Sequence, residues 1–295
     1  MTPLEHRRLT DLLLPAVLAA GRIEIDYFEA GCTVDTKADR SPVTNADREV
    51  ETLLLARLAE IFPALAVISE EAFAAGSRPR LTDPFLLVDP LDGTKQFVAG
   101  YPEFTINIAL VAANAPVYGL IYAPALSDFL VTDGRGRALR ARIDPKSDHA
   151  PASLEQASPA IVKVRDRSKI IASGGLIALQ SRSRNLEACD RFLREFPISE
   201  TRRLGSSYKF CLIAAGEADI YPQLGDTYEW DTAAGEAILT AAGGMVCDLQ
   251  GRPLLYGREG NNYLNPTFAA ACAPLAELGS SADTWKPAEL AQKPQ

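Results

Sequence analysis

The chain reads as a layered α/β (α+β) sandwich of two subdomains with the active site between them. Three observations lead there. Short apolar runs bounded by turn residues alternate with segments of helical period along most of the 295 residues. At about 150 residues per domain, the length suits two units or one large one. Acidic residues stand directly at the ends of several apolar runs.

Residues 4–29 predict a helix of mixed polarity, with a kink expected at Pro15. Its apolar stretch 12–20 follows His6, Arg7 and Arg8 as in a secretory leader, but Asp11, Arg22, Glu24 and Asp26 mark an amphipathic first helix. In 47–62, Val50, Leu53, Leu54, Leu58 and Ile61 keep helical spacing, Thr44 or Asn45 can cap, and Pro63 terminates. Runs 65–69 and 85–88 are buried strands, each followed at once by acids, and 104–112 and 117–122 form a further pair around Asn114-Ala115-Pro116. Residues 133–170 are rich in Arg, Gly, Pro, Asp and Ser and predict an irregular connection. The boundary is drawn there, giving an N-terminal α+β subdomain at 1–160, a C-terminal α/β subdomain at 161–277 and a mobile tail at 278–295. Beyond it come a strand at 176–180, helices at 186–196 and 207–216, a strand at 218–222, an apolar helix at 232–242 closed by Gly243-Gly244, and strands at 245–248 and 267–272.

Lys plus Arg number 30 against 38 Asp plus Glu, a net charge of −8, which argues against a surface that coats a nucleic-acid polymer. A small anionic ligand stays compatible if metal ions bring the positive charge. The five cysteines are widely spaced with no CxxC pair, so reduced thiols are expected, with neither a zinc site nor a disulfide framework. No apolar run nears the ~20 residues that stable membrane insertion requires.

The chemistry concentrates in Asp89-Pro90-Leu91-Asp92-Gly93-Thr94, where two carboxylates lie three residues apart at the end of a buried strand. Taken alone, this is a strand-to-helix turn with Asp92 as a cap, or a site for a hard cation such as Mg²⁺. Glu70 and Glu71 end another strand, and Asp231 opens the apolar helix after Trp230. Each is ordinary by itself, as a solvated strand end or an N-cap. Together they put acids at the tips of three buried elements. Carboxylates ~5 Å apart repel by ~3 kcal/mol per pair at an effective dielectric near 20, so a fold that gathers four needs cations or protons. Two Mg²⁺ ions would offset that cost, activate water and steady a leaving oxygen.

Four motifs now stand in order: Ser41-Pro42-Val43-Thr44 through Asp47, Ser69-Glu70-Glu71, the 89–94 stretch, and Trp230-Asp231-Thr232-Ala233-Ala234-Gly235. In that set the chain resembles the inositol monophosphatase superfamily of Mg²⁺-dependent, lithium-sensitive phosphatases. The resemblance implies that Glu70, Asp89 and the Leu91 carbonyl hold one Mg²⁺, that Asp89, Asp92 and Asp231 hold a second, and that a third, weaker ion lies near Glu70. It implies that Thr94 and Asp47 orient and deprotonate the attacking water, and that the amides of Gly93 and Thr94 cradle the phosphate. For Asp47 the plain alternative is a first-turn acid that favours the helix dipole.

Arg203 to Cys211 and Ser181-Arg182-Ser183 are similar to segments of the 3'(2'),5'-bisphosphate nucleotidases within that superfamily, enzymes that convert adenosine 3',5'-bisphosphate to AMP and phosphate in sulfur metabolism. The substrate side would then be Ser181, Arg182, Gly205, Ser206 and Lys209, with Lys209 facing the second phosphate and Gly205 allowing a close backbone approach. Inositol monophosphatases usually carry a Glu where this chain has Gln223, which counts against inositol phosphate. The implied partner is a small phosphorylated nucleotide and the implied location cytoplasmic, with 3'-phosphoadenylyl sulfate as a further substrate, a homodimer and peripheral contact with the inner membrane left open. A broader sugar-phosphate phosphatase and a catalytically silent binder are the competing readings.

Overall fold

The computed structural model describes residues 2–37, 41–182 and 185–279. Ser183 and most of the expected tail lie outside the described residues. Helix α1 (Pro3–Ala30) starts on a reciprocal cap, Glu5 N–H to Thr2 Oγ1 at 3.3 Å and Thr2 N–H to Glu5 Oε2 at 2.6 Å. It remains one helix through Pro15. A two-stranded ribbon, β1 (Val34–Thr36) and β2 (Pro42–Thr44), leads into α2 (Asn45–Ile61), capped by Thr44. Then follow β3 (Ala66–Ser69), α3 (Glu70–Ala74), β4 (Phe85–Asp92), α4 (Thr94–Val98), β5 (Thr105–Ala112), β6 (Ala115–Ala123), β7 (Asp128–Thr132), β8 (Ala138–Arg142) and β9 (Ala160–Val162). The seven strands β3 to β9 lie side by side in sequence order, antiparallel except for β3 with β4.

The second sheet is built from β10 (Leu176–Ser181), β11 (Ile198–Leu204), β12 (Ile220–Gln223), β13 (Met245–Asp248) and β14 (Phe268–Ala271), in the order β11-β10-β12-β14-β13. Its helices are α5 (Arg167–Ala172), α6 (Leu186–Leu193), α7 (Tyr208–Ala214) and α8 (Glu229–Ala241). Strand β4 shows how the layers stack. Leu86 and Val88 enter a core shared with α1 and α2, while Phe85 and Leu87 enter one shared with α7 and α8. The two-residue period of a strand thus feeds both faces of the sheet. Helix α8, late in sequence, packs on β5 and β6 of the first sheet. Gly119 permits this, because a Cβ there would stand 2.4 Å from the Ala234 carbonyl.

Several expectations are corrected. The segment 133–170 is only partly irregular: β8 pairs with β7, β9 pairs with β8 and α5 follows, while 143–159 holds no helix or strand. Its strands escaped notice because Arg140 and Arg142 occupy ladder positions and β9 is a short edge strand. Strand β11 was missed for a similar reason: its polar sequence, Ile198-Ser-Glu-Thr-Arg-Arg-Leu204, has little to bury at a sheet edge. The strand expected at 85–88 continues to Asp92, where its ladder with β5 shifts between Asp89 and Asp92. Helix α8 begins at Glu229, so Asp231 lies inside its first turn.

Candidate active site

The acidic cluster follows from strand register. Ser69 of β3 pairs with Val88 of β4, so the next residues, Glu70 at the start of α3 and Asp89 still within β4, stand side by side. Asp231 comes from the first turn of α8. One carboxylate oxygen each from Glu70, Asp89 and Asp231 lies within 4.8 Å of the others. Asp89 is fully buried; its Oδ1 accepts from the Leu91 amide at 3.1 Å, and its Oδ2 has no partner. Burial first, and then the charges of Glu70, Asp92 and Asp231, push its carboxyl well above the usual range. A fully buried, unpartnered carboxylate oxygen facing two other acids fits a hard divalent cation, and the all-oxygen donor set suits Mg²⁺. Asp92 lines the same cleft, outside this group of three, and accepts from the Ser207 amide.

Beside the cluster stands a second constellation. Asp47 Oδ2 accepts from the Thr44 amide at 2.8 Å and from Thr44 Oγ1 at 2.6 Å, which fixes the carboxylate at the start of α2. Its Oδ1 accepts from Thr94 Oγ1 at 3.0 Å. Burial raises the Asp47 pKa, and the bonds from Thr44 and Thr94 oppose that rise. Asp47 therefore caps its helix and also holds Thr94. Gly93, at φ 96°, takes the left-handed conformation that turns β4 into α4 and aims Thr94 back at Asp47.

Two supports at this wall are not among the residues the sequence singled out. Lys37, just past β1, donates to Glu70 Oε1 at 2.6 Å and to Glu71 Oε1 at 2.5 Å. Glu51, one helical turn after Asp47, accepts the Glu71 and Ala72 amides at 3.0 and 3.1 Å and so orients the α3 turn that carries Glu70. Its position at i+4 from Asp47 on α2 was the available clue.

The facing wall belongs to the second sheet. A cleft is lined by Glu70, Leu91, Asp92, Gly93, Thr94, Tyr228 and Asp231 on one side, and by Ser181, Gly205, Ser206, Lys209 and Gln223 on the other. Gln223 is buried with its Oε1 unpartnered. Ser206 is left-handed at φ 47°, and its Oγ accepts from the Tyr208 amide at 3.2 Å. Gly205 owes its lack of a side chain to Gln96, whose Cγ would lie 2.2 Å from an added Cβ. Lys209 lines the cleft and donates to the Ser206 carbonyl at 2.5 Å. Arg182 stacks on Tyr101 and pairs with Glu103 Oε1 at 2.6 Å, apart from the cleft-lining residues.

Residues 5–278 match the family described as the inositol monophosphatase family. The chain is 37% identical over 235 residues to the Escherichia coli K12 protein named 3'(2'),5'-bisphosphate nucleotidase CysQ, covering 80% of this chain and 87% of that one. It is 38% identical over 232 residues to the CysQ of Salmonella typhimurium, covering 79% and 86%. Among solved structures, CysQ from Bacteroides thetaiotaomicron superposes with a TM-score of 0.72 at 32% identity, over 91% of this chain and 98% of that one. A Thermotoga maritima IMPase gives 0.71 at 21% identity over 92% and 93%, a likeness of fold.

Proposed function

The chain belongs to the inositol monophosphatase family, and from that premise we propose that it is a Mg²⁺-dependent phosphomonoesterase hydrolysing adenosine 3',5'-bisphosphate to AMP and phosphate. The observation that carries the reading is the Thr94 Oγ1 to Asp47 Oδ1 hydrogen bond of 3.0 Å, because Thr94 lines the same cleft as Glu70 and Asp231, whose carboxylates cluster with that of the buried Asp89. A binder alone has no need of a hydroxyl–carboxylate pair beside its metal ligands.

Glu70, Asp89 and the Leu91 carbonyl would hold one ion, and Asp89, Asp92 and Asp231 another, with Glu70 serving a weaker third. Bound there, Mg²⁺ supplies charge neutralisation for the phosphoryl group and lowers the pKa of water. The chain's own residues do the rest. The amides of Gly93 and Thr94 orient the phosphate. Thr94 Oγ1 takes a proton from the attacking water and passes its own to Asp47, whose basicity is raised by burial. The water oxygen bonds to phosphorus as the bond to the ribose 3'-oxygen breaks, and that oxygen leaves with a proton from solvent. Catalysis is positioning and charge neutralisation, without a covalent enzyme intermediate. Neutral Gln223 in the cleft wall, where inositol monophosphatases usually carry a Glu, supports a nucleotide over inositol phosphate.

The test is Mg²⁺-dependent phosphate release from adenosine 3',5'-bisphosphate, inositol 1-phosphate and fructose 1,6-bisphosphate, with wild type and Asp89→Asn. The nucleotide is expected to be the fastest, and Asp89→Asn nearly silent. Equal rates for wild type and variant would overturn the metal assignment, and a faster sugar phosphate would overturn the substrate.

A further inference from the structure

We propose that Lys95 reads a second anionic group on the substrate and gives this cleft its preference for a bisphosphate over a monophosphate; the inference rests on the nucleotidase reading above. Two cations line the cleft among the described residues, Lys95 and Lys209. They are in opposite states. Lys209 is 3% exposed, its ammonium donates to the Ser206 carbonyl at 2.5 Å, and it stands 4.7 Å over the Tyr221 ring. It is built into the wall. Lys95 is exposed, and among the described residues its ammonium makes no ion pair or hydrogen bond.

The remaining charged groups lining the cleft are acids, Glu70, Asp92 and Asp231. A phosphate seated against them comes with metal ions. A second phosphate or sulfate on the same ribose lies beyond those ions, among neutral lining residues that leave its charge unanswered. Neutral donors such as Ser181 can hydrogen-bond it but do not offset its charge. Lys95 directly follows Thr94, and consecutive Cα atoms are about 3.8 Å apart. Its flexible stem therefore starts beside the residue that holds the reacting phosphate and can sweep the cleft mouth with three donors. An exposed lysine with no internal partner gives up little protein structure to make that contact.

The test compares kcat/KM on adenosine 3',5'-bisphosphate and adenosine 3'-monophosphate for wild type, Lys95→Gln and Lys95→Arg. In Lys95→Gln the ratio of the two values is expected to fall about 10- to 30-fold, mostly through the KM for the bisphosphate. Lys95→Arg restores most of the ratio, and added salt erodes it in wild type but not in Lys95→Gln. A ratio that survives Lys95→Gln, whether or not both rates drop together, overturns the role of Lys95 alone. A wild type with no preference for the bisphosphate overturns the nucleotidase reading, and the role of Lys95 with it.

Discussion

Two aspartates on the seven-stranded sheet are both fully buried, and they are buried differently. Asp128 of β7 receives Arg140 Nε at 2.7 Å, Arg140 Nη2 at 2.6 Å and the Tyr208 hydroxyl at 2.9 Å. Its charge is answered from within, and the network ties β7 and β8 to α7. Asp89 of β4 has one amide donor, an empty-handed Oδ2 and acids for neighbours. An acid that its own fold neutralises acts as a fastener. One that its own fold leaves in deficit among other acids at a cleft is a candidate for completion from outside, and that clustering distinguishes the site from the scaffold.

The sharpest way to break this contrast is to neutralise each aspartate. Asp89→Asn is expected to cut Mg²⁺-dependent turnover by ~1000-fold or more. It should also raise the melting temperature in chelator, because it removes one of several repelling charges. A lowered melting temperature there would erase the distinction. Asp128→Ala should do the reverse, costing ~1.5–3 kcal/mol in denaturant unfolding by leaving Arg140 with only the more exposed Glu217 as a partner and the Tyr208 hydroxyl without its acceptor, while the fraction that folds keeps its kcat.

Two further buried acids sharpen the comparison. Glu24 of α1 is fully buried, neither oxygen has a partner, and burial, followed by the Asp47 charge, pushes its carboxyl well above the usual range. It is not among the residues that line the cleft. Glu24→Leu is expected to stabilise the protein by about 1–3 kcal/mol at neutral pH, read from the urea midpoint, with activity unchanged. Destabilisation would mean that the carboxyl serves something. Glu236 of α8 accepts one hydrogen bond, from the Tyr256 hydroxyl at 2.6 Å, and burial raises its pKa to about 7. The folded state therefore holds this proton more tightly than the unfolded chain does. Its share of stability is present below the ordinary value of 4.5 and is lost as pH rises through about 7. Glu236→Gln should remove a slope worth roughly 1–2 kcal/mol across that window, measured by unfolding at fixed ionic strength. An unchanged slope would show that other groups carry it.

The acids of the molecule also show what the sequence made legible. Asp89, Glu70 and Asp231 were readable because each ends or opens an apolar element, and apolar periodicity survives in sequence. The bond from Thr94 to Asp47 was reachable only through the resemblance, since first-turn acids are common for helix-dipole reasons. Asp128 and Arg140 were not legible as partners, because the β7–β8 register sets Asp128 opposite Arg142 and brings Arg140 to it only diagonally, and each alone is an ordinary surface-type residue. The same blindness hid β8 and β11, whose charged side chains find partners in space. Lys37 was unreadable because a lone lysine beside a short ribbon carries no pattern.

The contact at Gly119 has a mechanical consequence. Asp231 comes late in the chain, yet the helix that bears it is seated on the early sheet, with the Ala234 carbonyl pressed where a methyl group would otherwise sit. The trio proposed to hold the ions therefore shares one footing. Ser181 and Gln223 ride on the other sheet. Were the two sheets to breathe apart, the grip on the proposed nucleotide would loosen while the spacing between Asp89 and Asp231 stayed fixed, so release of product would not require the ions to go with it.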